Sequence, residues 1–173
     1  NNDIYKIIEF LHVKPGKGPA FVRTKLKSVT SGKVIDNTFS AGHKIEDVRV
    51  ETHKFQYLYN EGDTYHFMNT EDYSQIQLQK DTLDSSDLMK EGEVVTVIIN
   101  SEDSMPLSVD MPAHVILEVT STEPGVKGNT ATNATKPATV ETGAEVKVPL
   151  FINEGDKIKI DTDKGHYQER VKE

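Results

Sequence analysis

Residues 4–29 leave little choice of local fold. Two apolar runs, Ile4 to Leu11 and Ala20 to Val29, flank Val13-Lys14-Pro15-Gly16-Lys17-Gly18-Pro19-Ala20-Phe21. No helix passes through Pro-Gly-Lys-Gly-Pro, because each proline removes a backbone donor and each glycine favours a turn. The expected element is a hairpin whose stiff tip is Pro15, Gly16, Gly18 and Pro19. Lys17 sits at the centre of that tip, between two glycines that leave its stem uncrowded. On the return strand the two-residue period puts Ala20, Val22, Thr24 and Leu26 on one face. Phe21, Arg23, Lys25 and Lys27 fall on the other. The apolar face can pack while three cations and an aromatic ring point outward.

The rest of the chain continues in strands, and helix-period patterns are scarce and short. A turn at Thr30-Ser31-Gly32-Lys33 leads to a strand from Val34 to Phe39 and a polar loop from Ser40 to Asp47. The first unit is thus a small bent sheet of SH3-like type, closing near residue 53. Phe55, Tyr57 and Tyr59 alternate into Asn60-Glu61-Gly62-Asp63, and Tyr65 and Phe67 leave it, which is a hairpin pattern. Ile76 to Leu78, Val94 to Ile99, Pro106 to Val109 and Val115 to Val119 read as further strands. A short helix is expected from Asp81 to Met89, with caps available at Asp84 to Ser86. This set fits an OB-like barrel. A polar loop is expected from Ser121 to Thr139, then strands at Glu145 to Ile152, Lys157 to Asp161 and His166 to Val171. Asn153-Glu154-Gly155-Asp156 repeats residues 60–63 letter for letter, which suggests two related barrels in tandem. The fold class expected is all-β, three small barrels in tandem, SH3/KOW-like and then two OB folds. Their expected bounds are 1–53, 54–113 and 114–173.

Charge is unevenly spread. The net charge is -8, yet residues 1–54 hold ten Lys/Arg against six Asp/Glu, and residues 55–173 hold ten against twenty-two. No acid occurs between Glu9 and Asp36, where Lys14, Lys17, Arg23, Lys25, Lys27 and Lys33 all lie. A basic head on an acidic body suits a protein that meets phosphate at one end and avoids indiscriminate RNA binding elsewhere. Cysteine is absent, which excludes disulfides, thiolate metal sites and cysteine nucleophiles. The six histidines show no metal-ligand spacing. No Gly-rich phosphate loop or nucleophile elbow appears, so no enzyme, cofactor or metal is expected. No apolar run approaches ~20 residues and no leader or transit peptide is visible, so a cytoplasmic protein is expected.

Lys14-Pro15-Gly16-Lys17-Gly18-Pro19-Ala20-Phe21-Val22-Arg23-Thr24-Lys25-Leu26 closely resembles the lysine loop of the bacterial translation elongation factor P family. The resemblance continues through Tyr57-Leu58-Tyr59-Asn60, Tyr65-His66-Phe67-Met68-Asn69, Lys136-Pro137-Ala138-Thr139, Gly143 and Val146-Lys147-Val148-Pro149-Leu150-Phe151. It covers essentially the whole chain and implies a three-barrel molecule shaped somewhat like tRNA. Family members usually carry another strand before the position of Asn1, so a truncated start is expected here.

That resemblance implies a monomeric, non-enzymatic factor bound to the 70S ribosome between its P and E sites, beside peptidyl-tRNA. It would stimulate slow peptide bonds and relieve stalling at consecutive prolines. Lys17, often modified in the family by a separate enzyme, would reach toward the peptidyl-transferase centre and position the tRNA end. Lys14, Arg23, Lys25, Lys27 and Lys33 are candidates for tRNA and rRNA backbone contacts. Gly128-Asn129-Thr130-Ala131 resembles the family's Gly-Asp-Thr-Ala loop, which approaches the E-site mRNA codon, with Asn129 in place of the aspartate. Tyr167 and Arg170 resemble last-strand residues that touch tRNA near its anticodon stem. The competing reading is a general single-stranded RNA-binding protein. It asks for aromatic platforms interleaved with basic residues on the barrel faces, and the acidic second and third units count against it. A third, a hydrolase with paired carboxylates, asks for split titration behaviour.

Overall fold

The structure is a computed structural model that describes residues 3–125 and 134–172. Among the described residues it is all-β, with thirteen strands and two short 3₁₀ turns. Three strands form the first sheet, β1 (Tyr5–Val13), β2 (Phe21–Ser28) and β3 (Val34–Ser40), in the order β1-β2-β3. The second holds β4 (Val50–Glu61), β5 (Thr64–Asn69), β6 (Gln75–Gln79), β7 (Val94–Asn100) and β8 (Pro106–Asp110). The third holds β9 (His114–Thr122), β10 (Thr135–Val140), β11 (Glu145–Pro149), β12 (Lys157–Asp161) and β13 (His166–Val171). By their contacts the residues divide into two compact units, 1–53 with 97–109 and 54–96 with 110–173.

The predicted hairpin is present. Pairing of β1 with β2 runs from Tyr5↔Ser28 to Val13↔Phe21, so Lys14 to Ala20 form the tip. A bulge between Ile7 and Glu9 sets which β1 residues face which β2 residues. Thr24, Leu26 and Ser28 are buried, while the end of β1 nearer the tip, including Phe10, Leu11 and His12, is exposed. The base of the hairpin is tied by Asp3, which accepts from the hydroxyls of Ser28 at 2.6 Å and Thr30 at 2.7 Å. Those two bonds hold the Asp3 carboxyl below its ordinary range.

The second and third sheets share one connectivity, β6-β5-β4-β7-β8 and β11-β10-β9-β12-β13. Their equivalence corrects the letter repeat. Residues 60–63 lie in the tight turn between paired β4 and β5. Residues 153–156 join β11 to β12, which are not neighbours. The true counterpart of Glu154-Gly155-Asp156 is Glu91-Gly92-Glu93. Gly92 N–H donates to Tyr57 O and Tyr57 N–H to Glu93 O, both at 2.8 Å. Gly155 N–H donates to Val119 O at 2.8 Å and Val119 N–H to Asp156 O at 2.9 Å. Both glycines take a left-handed backbone, φ 88° and 87°, which a side chain would strain.

Two further expectations give way. No helix forms over residues 81–89; the chain makes 3₁₀ turns at Lys80–Thr82 and Ser86–Leu88 instead. Ser85 between them is left-handed at φ 56°, which breaks any helical run, and its hydroxyl donates to Thr162 O at 2.6 Å. Strand β10 occupies the end of the expected loop 121–139. Pro137 concealed it, since proline cannot donate within a ladder. It is tolerated because β10 pairs with β11 from Thr135 but with β9 only from Ala138 onward.

Leu88 joins the buried cluster of the third sheet, which includes Val115, Leu117, Val119, Val148, Ile158 and Ile160. Phe55, Phe67, Val95 and Val97 are the most deeply buried side chains of the second sheet.

Candidate nucleic-acid interface

The tip is built so that Lys17 has nothing to do locally. Gly18 takes φ 110°, a conformation that disfavours any side chain. A Cβ built on Gly16 would meet nothing within 4 Å, so the loop is open on that side. Lys17 is exposed, and its amine has no hydrogen-bond or ion-pair partner among the described residues. Nine-residue β1 and eight-residue β2, with β3 paired along β2 from Phe21↔Ser40 to Lys27↔Val34, make a three-stranded arm roughly 25 Å long at about 3.3 Å per residue, with the loop 14–20 at its end. The arm carries the amine to its far end.

The structure sorts the predicted cations into groups. Lys14, Pro15, Gly16, Lys17 and Gly18 are together and exposed at the tip. Arg23, also exposed, follows on β2 with its guanidinium 5.6 Å from the Phe21 ring centroid. Lys25 is partly neutralised: its amine lies 3.3 Å from Glu9, and Asp36 is its register partner on β3. Half-buried Lys27 sits further down, between Lys6 and Val34. Lys33 is exposed but belongs to the turn at the opposite end of β2, where its carbonyl accepts from Ser28 N–H. The compact cationic patch is therefore Lys14, Lys17 and Arg23.

On the third sheet, Tyr167 and Arg170 are three apart and would face opposite sides of a regular strand. A bulge changes this. Ile160 pairs with Tyr167 and Ile158 with Arg170, leaving Gln168 as the extra residue. Both side chains thereby come to the same face. Burial raises the Tyr167 hydroxyl above its ordinary pKa, with the Arg170 backbone N–H and guanidinium opposing. Arg170 stacks on Phe151 at 5.6 Å and lies 3.8 Å from Asp156. Phe151 was expected inside a strand running to Ile152, but β11 ends at Pro149 and Phe151 falls in the turn that follows, so its place beside Arg170 was not read from the sequence.

Gly128, Asn129 and Thr130 lie outside the described residues. The residues that flank residues 126–133 are tightly held: buried Lys136 donates its amine to Glu123 O, and a Cβ on Gly125 would meet Leu150 O at 2.5 Å. Among the described residues, no group of three His, Asp or Glu side chains forms a metal site, and no helix is long and apolar enough to cross a membrane.

Comparison with known proteins is decisive on family. The model of the elongation factor P KOW-like domain matches residues 1–45, that of its OB domain residues 50–109, and that of its C-terminal domain residues 115–170. The chain belongs to the elongation factor P family. Elongation factor P of Christiangramia forsetii is 79% identical over 173 residues, covering 100% of this chain and 92% of the relative. That of Flavobacterium johnsoniae is 77% identical with the same coverage. That of Bacteroides fragilis is 54% identical over 169 residues, covering 98% and 90%. A solved structure of eukaryotic translation initiation factor 5A from Methanococcus jannaschii aligns with a TM-score of 0.46 at 21% identity, over 61% of this chain and 78% of that one, too distant to carry weight. Membership in the elongation factor P family makes this a translation elongation factor, in a family of factors and not of enzymes.

Proposed function

We propose that this factor binds the 70S ribosome between the P and E sites and presents Lys17 to the peptidyl-transferase centre. There the amine positions the acceptor end of P-site peptidyl-tRNA for slow bonds, above all between consecutive prolines. The observation that carries this reading is the unpartnered amine at the end of a long, stiff hairpin. A lysine held only for stability has no need of such an arm. Lys14 and Arg23 follow the tRNA backbone beside it, with Lys25, Lys27 and Lys33 adding charge further along. Tyr167 and Arg170 face tRNA near its anticodon stem, and the stretch around Gly128, Asn129 and Thr130 faces the E-site codon. The working domains are 1–53, 54–113 and 114–173. An enzyme that extends Lys17 finds its target amine exposed.

The test is reconstituted translation of a reporter with three consecutive proline codons. Lys17→Ala is expected to melt at the same temperature as the parent and to lose stall relief. Full activity of the variant would overturn the reading. Binding to bare single-stranded RNA as tight as to ribosomes carrying peptidyl-tRNA would favour a general RNA-binding protein instead.

A further inference from the structure

Phe151 is a large aromatic residue left 58% exposed on the turn after β11. Its backbone is fixed. Ile152, the next residue, is fully buried, and the Asn153 side-chain amide donates to Phe151 O at 3.3 Å. The ring thus stands on a held stretch of backbone, and the Arg170 guanidinium lies over it, 5.6 Å from the centroid.

A second group holds the same guanidinium. The Asp156 carboxylate is 3.8 Å from Arg170 Nη1 and is itself pinned by the Asn153 N–H at 2.8 Å. Ring and carboxylate both come from the 151–156 turn, while Arg170 comes from β13. Arg170 lines an open cleft of about 480 Å³ together with Gly155, Asp156, Lys157, Val171 and Lys172. A guanidinium has five donors, and neither the ring nor one carboxylate oxygen uses them up.

We propose that Phe151 is the positioning residue of Arg170, preorganising its guanidinium to take an RNA backbone phosphate at this cleft. This rests on the reading that Arg170 contacts tRNA and adds what aims it. Without the ring, the long side chain samples other rotamers and must be ordered at the moment of binding. An exposed stack of this kind corresponds to roughly two- to fivefold in affinity.

The experiment measures affinity of the full-length factor for 70S ribosomes carrying initiator tRNA in the P site, using parent, Phe151→Leu, Phe151→Tyr, Arg170→Ala and the Phe151→Leu/Arg170→Ala pair. Thermal melting is recorded for each. Phe151→Leu is expected to weaken binding roughly two- to fivefold, Phe151→Tyr to restore it, and Phe151→Leu to add nothing once Arg170 is alanine. Equal losses from Phe151→Leu in both backgrounds would overturn the proposal, since a merely structural ring acts regardless of Arg170. So would an unchanged affinity for Phe151→Leu alongside a weakened Arg170→Ala. If Arg170→Ala itself binds like the parent, the tRNA reading of Arg170 fails first and the proposal falls with it.

Discussion

Leu88 offers a direct test of how the third sheet is held. It lies in the 3₁₀ turn between β6 and β7, yet it is 3% exposed and belongs to the buried cluster of β9, β10, β11 and β12. Leu88→Ala deletes three carbons. At about 0.8 kcal/mol each, the lost transfer energy is roughly 2.4 kcal/mol. A cavity left in a cluster of rigid β-branched neighbours adds about another 1 kcal/mol. The sum, about 3 kcal/mol, corresponds to a drop near 10 °C in melting temperature for a chain of this size. Calorimetry and urea unfolding followed by circular dichroism measure it. Amide shifts in a nuclear magnetic resonance spectrum should change at Val115, Leu117 and Ile160. Lys90→Ala, a few residues away, removes only an exposed ion pair to Glu141 at 3.1 Å and should cost less than about 1 kcal/mol. A Leu88→Ala loss below about 1 kcal/mol, or no shifts on β9 and β12, would refute the assignment of Leu88 to that core.

Burial, with smaller contributions from Tyr65 and Glu91, pushes the Tyr57 hydroxyl up to about 12. A raised pKa gives stability that is complete below the unfolded value near 10 and lost as pH rises toward the folded one. Stability should therefore fall by on the order of 1 kcal/mol by pH 11 from this group. Tyr57→Phe should remove that part of the decline while costing about 1 kcal/mol at neutral pH through the lost bond to Asn60; identical pH slopes in urea unfolding would refute it. Ser104 is left-handed at φ 58°, so Ser104→Gly should raise the unfolding free energy by about 0.5–1 kcal/mol, and a lower urea midpoint would contradict the assigned backbone.

What the sequence revealed depended on whether a residue's surroundings were local. The lysine hairpin was legible because Pro and Gly fix a turn by their own chemistry. Strand β12 was legible because Ile158 and Ile160 alternate with polar residues, unbroken by proline. Strand β10 was not, since Pro137 reads as a loop until one sees that β9 leaves its side open. The letter repeat at residues 60–63 and 153–156 misled because turn residues recur for turn reasons; the genuine equivalence rests on hydrogen bonds from Gly92 and Gly155. Site residues divide in the same way. Lys17 announced itself through its neighbours in sequence. The neutralising of Lys25 by Glu9 needs a register set by a bulge, and the shared face of Tyr167 and Arg170 needs another.

The central claim is where the arm delivers its amine. The chain contains no cysteine, so Gly16→Cys, at a position open to solvent, gives a single attachment point beside Lys17 for an iron chelate that generates hydroxyl radicals. On ribosomes stalled at consecutive prolines, strand cleavage is expected at the acceptor end of P-site tRNA and in the rRNA of the peptidyl-transferase centre. Cleavage confined to the ribosome's outer surface, with the tRNA acceptor end intact, would contradict the account.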